Sequence, residues 1–196
     1  MKKLVALVLA IVMIAALGAC GLFNSDSPNI DIIEFGGYDW LVLERSGTTA
    51  LILSIDVIER RSYHTNGGDI TWEFSSIRNY LNNEFLNNFS LTDQNRILET
   101  NVINNDNPKY GTPGGNDTVD KIFLLSIDEA LTFFEDNSTR VALNSNGEAS
   151  WWWLRSPGAI GDYAARVDYV GGVSIYDLDV VIDTGVRPAL WINLES

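Results

Sequence analysis

"SWWWLRSPG", residues 150–158, sets three tryptophans, a leucine and an arginine in consecutive positions. Indole faces stack on sugar rings and aromatic groups, and a guanidinium adds cation–π attraction or pairs with a carboxylate. Along an extended chain successive side chains alternate between faces. Trp152 and Leu154 therefore share one face, the natural core face, while Trp151, Trp153 and Arg155 share the other. That second face is a candidate ligand surface. A competing reading buries the strand on both faces, with Arg155 paired internally to a carboxylate such as Asp120, because buried charges are normally paired. Trp153 and Arg155 fit the buried reading better, and Trp151, at the strand entry, fits either. The following stretch, "PGAIGDYAAR" at 157–166, extends the candidate site. Its glycines allow a mobile loop, and Asp162 and Tyr163 place a carboxylate and an aromatic ring beside the tryptophans.

Other chemistry is harder to assemble. Arg187 in "GVRPALW" reads as a structural salt bridge rather than a ligand contact. Asp106, Asn116, Asp117 and Asp120 lie in an Asn/Asp-rich stretch, 104–120, whose oxygens suit calcium, but without the ordered spacing of an EF-hand. A solvated loop without metal is the expectation. His64 is the one histidine and sits among turn residues, with no Ser-Asp pairing that would make a triad. Carboxylates are abundant, yet no spacing singles out an acid and a nucleophile. No motif implies a cofactor.

These residues need a frame to hold them. Trp40–Glu44 and Thr49–Ile58 are β-branched and aromatic and flank Ser46-Gly47, which predicts a hairpin. Ser75 or Ser76 caps a predicted helix on which Ile77, Leu81, Phe85 and Phe89 recur every fourth residue. A second short helix is expected over Thr92–Glu99. Lys121–Leu125 reads as a strand leading into "SIDE", where Ser126 and Glu129 form a capping box for a helix to about Glu135. The last third reads as all-β: Trp151–Arg155, then Tyr163–Val170 paired with Val173–Leu178 across Gly171-Gly172, then Val186–Leu194. Strands at both ends with helices between them predict an α+β domain.

The N-terminus predicts location. Met1-Lys2-Lys3 precedes an apolar run to Leu17 that is shorter than the ~20 residues a spanning helix needs. It reads as an export signal, residues 1–19. "LGAC" at 17–20 resembles the lipobox of bacterial lipoproteins, which implies lipidation of Cys20 and cleavage before it. Residues 20–29 then form a polar tether, and 30–196 a single extracytoplasmic domain on the outer side of a cell membrane. Cys20 is the only cysteine, so disulfides and thiolate chemistry drop out together. Without Lys2 and Lys3 the 13 basic residues fall to 11, against 26 acidic ones. Such a chain repels nucleic acid.

"EFGGYDWLVLE", "KIFLLSIDEA", "WWLRSPG" and "GVRPALWINL", in that order, resemble a family of bacterial surface domains known only as a domain of unknown function. More loosely, the layout resembles the C-type-lectin-like fold shared with formylglycine-generating enzymes. That likeness implies paired terminal strands, two to three helices and an irregular region carrying a ligand site. The calcium lectins' sugar-binding triplet and disulfides are missing, as is the enzymes' cysteine pair. The expectation is a lipid-anchored binding module for a glycan or a surface protein, with Trp151, Trp153, Arg155, Asp162 and Tyr163 as its site. The rivals are a carboxylate-dependent cell-envelope hydrolase and a structural domain without a small ligand.

Overall fold

A computed structural model describes residues 31–195; Cys20, the signal and the tether lie outside the described residues. The fold is mixed α+β, with two main sheets sharing one hydrophobic core. The first sheet holds β1 (Ile32–Phe35), β2 (Tyr38–Ser46), β3 (Thr49–Ser54) and β13 (Ala189–Asn193), in the antiparallel order β1-β2-β3-β13. The expected hairpin is present, with Ser46 paired to Thr49. The last strand runs beside β3, and the β1–β2 hairpin extends the sheet on its far side.

The second sheet holds β4 (Glu59–Arg61), β9 (Trp152–Pro157), β10 (Tyr163–Val167), β11 (Val173–Asp179) and β12 (Thr184–Val186), in the order β11-β10-β9-β12-β4. The single strand expected over Val186–Leu194 is broken, with β12 ending at Val186 and β13 beginning at Ala189. Arg187-Pro188 divides them, because proline brings no N–H to a ladder. The chain turns there from the second sheet into the first. Short ladders complete the strands: β5 (Thr100–Val102) with β6 (Thr118–Asp120), and β7 (Ala142–Leu143) with β8 (Ala149–Ser150).

Among the described residues, four short α-helices lie between: α1 (Ser76–Tyr80), α2 (Leu91–Arg96), α3 (Ile127–Thr132) and α4 (Asn137–Arg140). The Ser75 side chain caps α1 by accepting from the Arg78 N–H. A four-residue spacing overshoots the 3.6-residue α turn, so Ile77, Leu81, Phe85 and Phe89 would drift around an ideal helix. The chain widens into a π turn over Leu81–Phe85 and closes in a 3₁₀ turn over Leu86–Asn88. All four side chains are buried as a result. The Ser126/Glu129 capping box opens α3 as expected, and the helix stops at Phe133. Lys121–Leu125 is not a strand. It crosses the core with a single bridge, Phe123 to Ala189, and Ile122 to Leu125 are all buried.

Candidate functional site

Every residue from Trp152 to Gly158 is buried. On the expected core face, the Trp152 indole N–H donates to the Arg140 carbonyl (3.1 Å), and the Arg187 guanidinium lies 4.9 Å from its ring. The opposite face is covered as well. Trp153 is 0% exposed, donates to the Arg61 carbonyl (2.9 Å) and takes Tyr63 edge-on at 5.8 Å. Arg155 holds Glu129 in a bidentate pair and also donates to the carbonyls of Leu124 and Ile103. Its partner is thus Glu129, the capping-box residue, and not Asp120. Asp120 accepts instead from Trp72, Thr118 and Arg78. Arg187, expected in a structural salt bridge, makes none within 4.0 Å among the described residues. It donates to the carbonyls of Ser54 and Arg140, and burial pulls its pKa down to about 10, partly countered by Asp56.

Trp151 is half-buried. The Arg166 guanidinium stacks 3.6 Å from its ring centre, Tyr169 packs at 5.6 Å, and Asp177 fixes Arg166 at 2.7 Å. Trp151, Trp153 and Tyr163 are therefore not exposed together.

A different cluster reaches the surface. Tyr163, at the start of β10, meets Tyr176 of β11 edge-on at 5.9 Å, and Tyr176 meets Tyr110 edge-on at 6.0 Å. Tyr176 and Tyr110 are 56% and 41% exposed. Three devices assemble these rings from separate stretches of chain. Between the pairs Ala164–Leu178 and Arg166–Ser174, Ala165 alone faces Ile175, Tyr176 and Asp177. The register of β10 slips by two residues here against both β11 and β9, and Tyr176 is the middle one of the three β11 residues at the slip. Gly158 runs beneath, where a Cβ would come within 2.6 Å of both the Tyr163 Cβ and the Tyr176 carbonyl. Asn107, 2% exposed, ties the third ring in place. Its amide nitrogen reaches the carbonyls of Pro157, Gly158 and Ile175 (2.9, 3.1 and 2.7 Å). Its oxygen accepts the N–H groups of Lys109 and Tyr110, each at 3.0 Å. The Lys109 ammonium lies 5.1 Å from the Tyr110 ring. Asp162, half-buried beside this cluster, accepts Val180 N–H with its carbonyl (3.0 Å).

Sequence reasoning named Tyr163 and missed Tyr110, Tyr176 and Asn107. Asn107 sits in "NDNPKY", a string of turn formers, and no local pattern marks it as the residue that reaches across to β9 and β11. In the same loop Asp106 accepts Gly114 N–H and Asp117 accepts Asn104 N–H, so both carboxylates brace backbone. No group of three or more His, Cys, Asp or Glu side chains converges on one point among the described residues. His64 does meet a serine: Ser76 Oγ lies 3.0 Å from its Nδ1. No carboxylate pairs with the imidazole among the described residues, so a triad's third member is missing there.

A family model described as Domain of unknown function (DUF6273) matches residues 47–194. The matched segment contains both main-sheet partners β3 and β13 and all three surface tyrosines. No curated protein and no solved structure matches the chain.

Proposed function

The chain belongs to the DUF6273 family, a domain of unknown function, and we propose that it is a binding module that grips a glycan on the face made by Tyr110, Tyr163 and Tyr176. One observation carries the proposal: three rings from three separate segments meet at the surface, two of them strongly exposed, on a scaffold tied down by a buried asparagine. Core formation does not require Tyr110 and Tyr176 to be aromatic. Their faces suit the apolar face of a sugar ring, and their phenols offer a donor and an acceptor to its hydroxyls. The lectin-like reading enters as analogy only: that likeness implies paired terminal strands, but the last strand, β13, pairs with β3 and not with the first strand, β1. Export and anchoring through Cys20 complete the proposal and put the face outside the cell.

The test is co-sedimentation with purified bacterial cell-wall sacculi, with membrane fractionation of the expressing cells alongside. Wild type should pellet, and Tyr110→Ala/Tyr176→Ala should bind about tenfold or more weakly with its melting temperature little changed. Cys20→Ala should leave the membrane fraction. Undiminished pelleting by the double variant would place the site elsewhere. A wild type that ignores sacculi but captures a surface protein would replace the glycan with a protein ligand.

A further inference from the structure

At the other edge of the second sheet, β4 borders a cavity of about 310 Å³. Four strand spacings, on the order of 19 Å, separate β4 from β11 across that sheet, so the cavity is distinct from the tyrosine face. We infer that this cavity is a second binding site, for a neutral polyhydroxylated ring such as a single hexose.

Its charges cancel. Glu59 and Asp183 supply two negative groups, and Arg60 and Arg61 supply two positive ones. An ionic ligand would gain from one pair and lose to the other. The remaining polar wall is hydroxyl: Ser62, Thr65, Ser76 and Tyr80. Hydroxyls both donate and accept, which matches a ring of hydroxyls better than a carboxylate or an ammonium.

The wall is organised in advance. Ser76 Oγ is held by Thr65 N–H (3.2 Å), Thr65 Oγ1 (3.2 Å) and His64 Nδ1 (3.0 Å). The Arg61 guanidinium lies 3.5 Å from the centre of the Tyr80 ring, with its Nε 3.1 Å from Glu59 Oε2. Glu59 Oε1 and Arg61 Nε are both shielded from solvent, so the cavity meets this ion pair through its other atoms. The volume sits at the low end of the ~300–1,000 Å³ typical of small-molecule sites, which suits one ring rather than a chain.

Amide chemical-shift mapping of the protein with glucose, and separately with glucuronate, tests the site. Glucose should move the amides of Glu59, Ser62, Thr65 and Ser76, and glucuronate should bind more weakly. Shifts at these amides, read apart from any at Tyr110, Tyr163 and Tyr176, separate this site from the tyrosine face. Glu59→Gln should weaken glucose binding by about tenfold, because it removes the charge that holds the Arg61 guanidinium over Tyr80 in the cavity wall. The wild-type map stands even if Glu59→Gln proves unstable. No glucose-dependent shifts around Glu59, equal binding by a stable Glu59→Gln, or a preference for glucuronate would each overturn the assignment.

Discussion

Trp151, Trp152 and Trp153 are neighbours in sequence with three different surroundings. Trp152 and Trp153 are both 0% exposed, and each indole N–H has a buried carbonyl acceptor. Trp151 is half-buried and rests against Arg166 and Tyr169. Removing a buried indole leaves a large cavity, so Trp152→Ala and Trp153→Ala should each cost about 3–5 kcal/mol. Trp151→Ala should cost no more than about 1 kcal/mol, the size of an exposed cation–π contact. Urea denaturation of the three variants measures the contrast. A loss at Trp151 equal to that at Trp152 would contradict the burial pattern. Alternation alone separates Trp152 from its neighbours and suggests an open second face. It cannot see Tyr63 and the Arg61 carbonyl, which arrive from some ninety positions earlier and close that face over Trp153. Arg155 shows the same limit. A partner inside was legible from the cost of burying charge, but Glu129 over Asp120 depended on where α3 begins relative to β9.

The elements read more clearly where the signal is local. The β2–β3 hairpin, the Ser75 cap and the Ser126/Glu129 box follow from residues a few positions apart. The π turn was written in the four-residue stripe, since only a wider turn keeps Ile77, Leu81, Phe85 and Phe89 together. That stripe ends on a hairpin. Phe35 pairs with Tyr38 across Gly36-Gly37, both with positive φ, the two-residue turn that suits the twist of antiparallel strands. A Cβ on Gly36 would lie 2.2 Å from the Phe89 ring, whereas one on Gly37 would meet nothing within 4 Å. Gly37→Ala should therefore cost about 1 kcal/mol, for the backbone conformation alone. Gly36→Ala adds a clash with a packed ring and should cost about 1–3 kcal/mol more. Thermal unfolding of the pair checks this, and equal losses would mean that Phe89 does not pack on the turn. Lys121–Leu125 misled because an apolar run of strand length is also what a segment threading a core looks like.

At the scale of the whole molecule, the second sheet carries one surface at each edge and a closed interior between them. The strand richest in aromatic residues, β9, is central and fully buried, so the surface chemistry belongs to the edges that flank it. The tyrosine face depends on a bulge, a glycine and an asparagine drawn from β11, the 157–162 loop and the 104–120 loop. No single stretch announces it, which is why only Tyr163 was found from sequence. Tyrosine nitration, read by mass spectrometry with and without bound sacculi, tests that face most directly. Tyr110 and Tyr176 should nitrate in the free protein and be protected when it is bound. Tyr169, 53% exposed but packed on Trp151, should react alike in both states. Undiminished nitration of Tyr110 and Tyr176 in the bound protein, with protection at Tyr169 instead, would contradict it.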